Sequence, residues 1–273
     1  MQKLDFNKDG NLVAFTDNGC TDGKSATTEV KGTFEVSADV VKFILAKEYD
    51  LPYAETGNKW DMLIDIEKLF IEYKRIIKDN GAIVLFGSFR LGVRLFEAAP
   101  DLYKYEWIWQ KDNGTNAPNV NLQPFRVHEY VFVFSKGRCT NGTRVPMKYN
   151  PQKTDGKPYS QKSGRMSDNW KGGLKNIVTN NEDGLRHPKT VQYFKRDKDK
   201  LHPTQKPLDF LRYLVRTYTN EGDLVLDNCM GSGTTAIACI KEKRHFIGYE
   251  ITKEYFDIAQ ERIKQEQMQL ELF

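Results

Sequence analysis

A chain of 273 residues, 39% apolar and with a mean hydropathy of −0.62, has room for one large α/β domain with an inserted module, or for two modest domains. Its longest apolar runs, residues 82–86 and 130–134, are strand-sized and far short of the roughly 18 residues that cross a bilayer, and Met-Gln-Lys-Leu-Asp opens the chain without the apolar stretch of a signal peptide, so a soluble intracellular protein with no membrane partner is expected. The net charge of +4 hides an asymmetry: residues 136–206 hold 17 Lys/Arg against 6 Asp/Glu, leaving 24 against 31 elsewhere, and a basic segment on an otherwise acidic chain suits a polyanionic partner or a solvated lysine-rich loop.

Residues 1–36 are polar and lack a sustained period, which predicts irregular or short hairpin structure. Residues 38–47 fit either a short helix or a strand leading into Tyr49-Asp50. Leu63, Ile66, Phe70, Tyr73 and Ile77 then mark one apolar stripe of a helix that Asn80-Gly81 ends, and residues 82–86 form a buried strand closing at Gly87. Two more strands are expected at 105–110 and 130–134, separated by a long Asn/Pro-rich loop. Periodicity is lost over 136–200. A helix at 207–218, a strand at 223–227, a Gly-rich turn, a helix from Thr234 to about Lys241, a strand at 245–250 and a charged helix from Tyr255 to about Gln267 complete the chain. Helices alternating with short buried strands predict a doubly wound α/β sheet.

Cys20, Cys139, Cys229 and Cys239 show no Cys-x-x-Cys or Cys/His spacing, so no metal site is expected and four reduced cysteines are. His128-Glu129 lacks the second histidine of a zinc protease motif. His128 reads as a structural histidine.

Gly231-Ser232-Gly233-Thr234-Thr235-Ala236 fits Gly-x-Gly-x-x-Ala between a strand and a helix. Glu250 ends the next strand, 19 residues beyond Gly231, where a carboxylate can accept both ribose hydroxyl hydrogens or simply stay solvated. No lysine precedes Thr234, so this is not a P-loop. A nicotinamide enzyme carries the same fingerprint, and Asp227 at the strand tip separates the two cases. A dinucleotide lays a doubly negative pyrophosphate on such a turn, which a carboxylate repels. S-adenosylmethionine has no phosphate and carries an ammonium and a sulfonium, which a carboxylate attracts. Asp227 also suits the N-cap of the following helix.

The stretch Asp227-Asn228-Cys229-Met230-Gly231-Ser232-Gly233-Thr234-Thr235, preceded by His202-Pro203-Thr204-Gln205-Lys206-Pro207, resembles the cofactor half of the amino-group DNA methyltransferases. The resemblance implies that both stretches contact S-adenosylmethionine, the first around its methionine end. Where the family more often has Pro-Phe, this chain has Asn228-Cys229. Asp50-Leu51-Pro52-Tyr53 is similar to that family's Asp-Pro-Pro-Tyr catalytic motif, and residues 79–88, including Phe86 and Gly87, resemble the strand after it, whose end lies near the cofactor. Residues 107–111 and 128–134 resemble the next strands of the same sheet.

An aromatic amino group is a poor nucleophile because its lone pair is delocalised into the ring. By the resemblance, the Asp50 carboxylate and the Leu51 carbonyl accept its two N–H bonds and favour an sp³-like nitrogen, while Tyr53 stacks on the extruded base. Leu51 replaces the commoner proline but keeps the main-chain acceptor, and Pro52 still biases it away from helical angles. The family's acidic residue some 20 positions before the motif has no clean equivalent; Asp17, Asp22 and Asp39 are candidates.

Catalytic motif, basic segment and cofactor motif in that order resemble the beta class, in which the middle region reads DNA. The resemblance implies a Rossmann-like class I methyltransferase with a seven-stranded, mostly parallel sheet. Residues 1–136 are then the catalytic half, 137–200 an irregular target-recognition insertion and 201–273 the cofactor half. Lysines and arginines in the insertion suit phosphates, and Asn, Gln and Arg suit base edges. An aspartate opening the motif favours adenine N6 over cytosine N4. Double-stranded DNA is the implied partner, with a second copy of the chain and a cognate restriction endonuclease as further partners to consider, in the cytoplasm of a prokaryotic cell or a phage-infected host. A nicotinamide oxidoreductase and a DNA-binding relative without turnover are the rival functions.

Overall fold

The structure, a computed structural model, describes residues 13–16, 38–44, 65–162, 178–199, 201–250 and 252–271. In chain order these give β1 (Val13–Thr16), β2 (Ala38–Ile44), α1 (Ile66–Ile76), β3 (Ile77–Gly87), α2 (Phe89–Ala98), β4 (Tyr103–Gln110), β5 (His128–Phe134), β6 (Tyr159–Lys162), β7 (Val178–Asn181), β8 (Val191–Tyr193), α3 (Leu208–Tyr218), β9 (Leu224–Asp227), α4 (Thr234–Lys241), β10 (His245–Glu250) and α5 (Lys253–Glu271). The chain divides into two compact units, Pro151–Lys189 and the parts that flank it.

The larger unit is α/β, built on a mixed sheet ordered β1-β10-β9-β2-β3-β5-β4-β8. β10, β9, β2 and β3 run parallel; β5 is antiparallel to both β3 and β4; β1 is antiparallel at one edge and β8 parallel at the other. The expected sheet is seven-stranded and mostly parallel, whereas eight strands are described and three of their seven pairings are antiparallel. The two edge strands span four and three residues, too few for an alternating pattern to announce them. For residues 38–47, the strand alternative is the one observed.

Alternate side chains of the central strands go to opposite faces, as a period of two requires. Ala82, Val84, Phe86, Val131 and Val133 join a core with residues of α3, α4 and α5. Ile83, Leu85, Phe132 and Phe134 join a second core with residues of α1 and α2. Burial on both faces explains why these strands read as continuous apolar runs. One boundary differs from expectation. Helix α1 ends at Ile76, and Ile77 already takes an extended conformation, so Asn80-Gly81 lies inside β3 rather than closing the helix. The β2–β3 register jumps there, from Ala38↔Ile77 to Val40↔Ala82, and residues 78–80 stand away from the core. An apolar stripe at helical spacing cannot separate Ile76 from Ile77 when both are buried.

The smaller unit is a hairpin of β6 and β7, from Tyr159↔Asn181 to Lys162↔Val178, with a further bridge between Thr154 and Arg186. No apolar side chain is buried among its described residues. Arg186 holds it instead. Its guanidinium donates to Asn181 Oδ1 (2.8 Å) and the Gly184 carbonyl (2.7 Å), and lies 4.7 Å from the Tyr159 ring centre. The segment expected to be irregular thus contains an antiparallel hairpin, built from strands of four residues.

Candidate functional site

The parallel strands deliver their carboxyl ends to one edge of the sheet. Lys42 pairs with Asp227, and Gly248 with the same Asp227, so β2, β9 and β10 finish side by side. Ile44 pairs with Phe86 at the end of β3. Because β5 is antiparallel, its start at His128 joins this edge opposite Gln110, the end of β4. In an open α/β sheet this edge is where ligands bind.

The Gly-rich turn leaves this edge from β9. Gly231 and Gly233 have φ of 55° and 80°, a region that penalises a Cβ, and a Cβ on Gly233 would come 2.9 Å from the Cβ of Ala259 in α5. Gly233 is the N-cap of α4 and no side chain caps that helix. Asp227 is therefore not its cap. Its carboxylate is fully buried beneath the turn, where Oδ1 accepts from Cys229 N–H (3.1 Å) and Oδ2 from the Thr235 hydroxyl (2.5 Å). Tyr73 of α1 is buried near the same loop. Burial above all, with the Asp227 carboxylate close by, drives its hydroxyl well above the ordinary tyrosine range. The Cys229 thiol is pushed up to about 12, by burial first and then by Asp227 and Glu250, so it serves as a small neutral side chain.

Four of the turn's donors are engaged within the protein. Gly231 N–H bonds to Glu250 Oε2 (2.7 Å), Met230 N–H to the Tyr249 carbonyl (2.8 Å) and Gly233 N–H to the Met230 carbonyl (3.0 Å), in addition to Cys229 N–H on Asp227. The other Glu250 oxygen accepts from Thr252 N–H (2.8 Å). Each carboxylate oxygen keeps a second lone pair, so Glu250 retains capacity for ligand hydroxyls. A pyrophosphate arriving here would find those four N–H groups occupied and two carboxylates beside them. A cation meets a favourable field. These residues fit a sulfonium-bearing nucleoside and oppose a dinucleotide.

The stretch from His202 to Gln205 packs on the turn. A Cβ on Gly231 would be 3.4 Å from the His202 ring, which lies against Tyr255 with ring centres 4.2 Å apart. His202 Nδ1 accepts from Thr204 N–H (3.2 Å), Pro203 is exposed, and Gln205 Oε1 accepts from the Ser232 hydroxyl (3.3 Å). Lys206 departs from this cluster. Its buried ammonium bonds Glu129 Oε2 (2.5 Å) and stands 5.2 Å from the centre of the Phe86 ring. Lys111 bonds the other Glu129 oxygen, also at 2.5 Å. Phe86 is 1% exposed and packs edge-on against Phe210, so it belongs to the core; a Cβ on Gly87 would come 2.7 Å from Leu91 Cδ2, which would have to shift.

Asp50, Leu51, Pro52 and Tyr53, with Asp17 and Asp22, lie outside the described residues, as does Cys20; Asp39 is in β2. No disulfide joins Cys139, Cys229 or Cys239. Among the described residues no cluster of His, Cys, Asp or Glu has the makings of a metal site, and no helix is long and apolar enough to cross a membrane.

Three contributors escape sequence reasoning. Glu129 joins Lys111 and Lys206 across three distant segments, and nothing local signals it. Thr235 braces Asp227. Arg262 of α5 reaches under the turn, donating to the Ser232 carbonyl (2.5 Å) and to the Ser232 and Thr234 hydroxyls (both 3.2 Å). An arginine one residue from the buried stripe Phe256, Ala259, Ile263 is the available hint.

The turn is also packed tightly from beneath. A Cβ on Gly248 would fall 1.6 Å from Met230 Cε. Gly248→Ala is expected to cost about 1–3 kcal/mol of stability by overpacking, and the double variant with Met230→Ala is expected to cost less than the two single changes added together, measured by urea unfolding. Strict additivity would mean that the two residues are not coupled.

The profile of the N6_N4_Mtase family, described as DNA methylase, matches residues 42–261. The chain is 30% identical over 230 residues to the orphan methyltransferase M.BamHII of Bacillus amyloliquefaciens, covering 78% of this chain and 86% of that one. It is 28% identical over 224 residues to the type II methyltransferase M.HpaI of Haemophilus parainfluenzae, covering 78% of this chain but only 60% of the longer relative. Among solved structures, the M1.HpyAVI–SAM complex superposes with a TM-score of 0.57 at 21% identity, covering 84% of this chain and 89% of that one, a likeness of fold.

Proposed function

The chain belongs to the N6_N4_Mtase family of DNA methylases, and on that premise we propose that it is an S-adenosylmethionine-dependent DNA methyltransferase acting on N6 of an adenine turned out of a duplex at a specific sequence. The observation that carries this reading is the Gly-rich turn, with four of its donors engaged internally and two carboxylates beside it, joined through β9 to the strand that precedes Asp50. Asp50 follows Ile44 by six residues, a reach of at most about 20 Å in extended chain.

When bound, S-adenosylmethionine supplies an electrophilic methyl group on a positive sulfur. The chain's residues do the rest. Asp50 and the Leu51 carbonyl accept the adenine N–H bonds, localising the nitrogen lone pair, Pro52 biases Leu51 away from helical angles, and Tyr53 stacks on the ring. Glu250 takes the ribose hydroxyls, and residues 202–205 with Ser232 to Thr234 shape the methionine end. Asp227 contributes its field from below the turn, without contact. The aspartate at position 50 favours N6; cytosine N4 is the alternative within the same family.

Residues 137–200 are proposed to read the DNA, with the β6–β7 hairpin of the smaller unit among them. Calorimetric titration is expected to give binding of S-adenosylmethionine and none of NAD. Labelled methyl is expected to enter duplex DNA, and sequencing of the modified bases to report N6-methyladenine. N4-methylcytosine would overturn the base assignment, and unlabelled DNA with a folded, DNA-binding chain would overturn the enzyme. Lys/Arg→Ala changes within 137–200 are expected to weaken DNA binding and to lower the salt slope by about 0.9 for each phosphate that is no longer neutralised. An unchanged slope removes that segment from the interface.

A further inference from the structure

The 17 residues between β4 and β5 form a loop on the same edge as the turn. Its base is tied at several points. Lys111 N–H donates to the Val127 carbonyl (2.7 Å) and Thr115 N–H to the Arg126 carbonyl (3.1 Å). Asn116 accepts from Arg126 N–H (2.6 Å) and donates to the Pro124 carbonyl (3.0 Å). The Phe125 ring sits where a Cβ on Gly114 would be, 2.3 Å away. A short helical turn at Ala117–Asn119 then leads to Leu122 and Gln123, whose N–H groups both bond the Asn119 carbonyl (2.9 and 3.0 Å).

This well-tied loop presents apolar side chains to water. Leu122 is 88% exposed and Val120 47%. Hydrogen bonds hold the loop, so its fold does not depend on the leucine. The rest of its chemistry suits nucleic acid: from Asn113 to Val127 there is no acidic residue, and five amide side chains accompany Arg126. β5 and β4 are the second and third strands from β2, about 10 and 14 Å away at the usual strand spacing, so the loop rises beside the place to which β2 leads the chain. A base taken out of a duplex leaves a gap, and apolar wedges of this kind enter base stacks.

We propose that Leu122 is the wedge that enters the DNA stack where the target base is extruded, with the neighbouring amides Asn121 and Gln123 meeting the base left unpaired. The proposal rests on the DNA methyltransferase reading above. Its test uses the full chain and a duplex carrying 2-aminopurine at the target position, once sequencing has identified the site. Wild type is expected to raise 2-aminopurine fluorescence and to methylate the adenine duplex. Leu122→Ala is expected to lose most of the fluorescence rise and at least about tenfold in kcat/KM, with S-adenosylmethionine affinity and thermal stability unchanged because the side chain is solvent-exposed. Leu122→Phe should retain activity by filling the same gap. A mismatch opposite the target, which makes extrusion cheap, should return Leu122→Ala towards wild type.

Full fluorescence and activity of Leu122→Ala on matched duplex would overturn the wedge, as would a loss that the mismatch does not restore. A wild type that methylates no duplex at all would overturn the parent reading, and the wedge with it. That outcome is distinguishable from the others because they all require an active wild type.

Discussion

Asp50→Ala is expected to reduce methyl transfer to duplex DNA by at least about a hundredfold while S-adenosylmethionine and DNA still bind. The amino nitrogen of adenine attacks only if its lone pair is withdrawn from the ring, and the proposed role of the Asp50 carboxylate is to hold one N–H in the geometry that does this. Removing one preorganised electrostatic group from a reaction centre typically costs about 10²–10³ in rate. Asp50→Asn keeps an acceptor oxygen without the charge and should fall between the two. Leu51→Pro should be active, because the second acceptor is the main-chain carbonyl. Tyr53→Ala loses stacking worth about 1–3 kcal/mol and should weaken use of the DNA substrate more than cofactor affinity. Single-turnover rates with labelled methyl measure all four. An Asp50→Ala variant that transfers methyl at the wild-type rate would remove Asp50 from the chemistry.

A stability effect of comparable size is expected at Glu129. Its carboxylate is the bridge between two ammonium groups whose side chains are 4% and 9% exposed. Glu129→Gln leaves both lysines charged, buried and without their shared anion, and breaking a buried pair in this way costs about 3–5 kcal/mol. The pH dependence has a definite sign. Burial raises the Glu129 pKa, but the charges of Lys206 and Lys111 and their hydrogen bonds outweigh it and hold the group below its ordinary value of 4.5. A depressed folded pKa means that the contribution is complete above the unfolded value and is lost as pH falls through the folded one. Urea unfolding between pH 3 and 7 should therefore show a steep acid limb in wild type and a shallower one in Glu129→Gln. Adding Lys111→Met and Lys206→Met to that variant should recover much of the loss, because an apolar replacement of a buried ionic cluster is often neutral. An unchanged urea midpoint in Glu129→Gln would show that the lysines find solvent.

The strand–turn–helix–strand unit from β9 to β10 is the most legible part of the chain. Its signals are local: a buried apolar run, glycines where φ is positive, and a carboxylate at the next strand end all fall within about 27 residues. The α4 and β10 boundaries agree with expectation to the residue. Where pattern fails, physics explains the failure. The antiparallel setting of β5 between β3 and β4 leaves no mark on a strand buried on both faces. β8 is too short to show alternation. Ile77 fits a helical stripe and a buried strand equally well, and only the register decides. Lys206 lies in a stretch that otherwise packs on the turn, yet its ammonium joins Glu129, because a partner 77 residues away is invisible to spacing. Arg262 escapes for the same reason, acting on Ser232 from 30 residues downstream.

The four engaged donors of the Gly-rich turn have a bearing on selectivity among small molecules. A phosphate-binding loop in the empty protein solvates its N–H groups, and any anionic nucleotide in the cell competes for them. Here four of the turn's N–H groups are already engaged, two of them by Asp227 and Glu250 themselves, so a polyphosphate gains nothing from those four and is repelled by the two carboxylates. A turn of this kind stays open to a positively charged nucleoside while it disfavours anionic ones. Discrimination is then settled by the sign of the charge before shape is sampled.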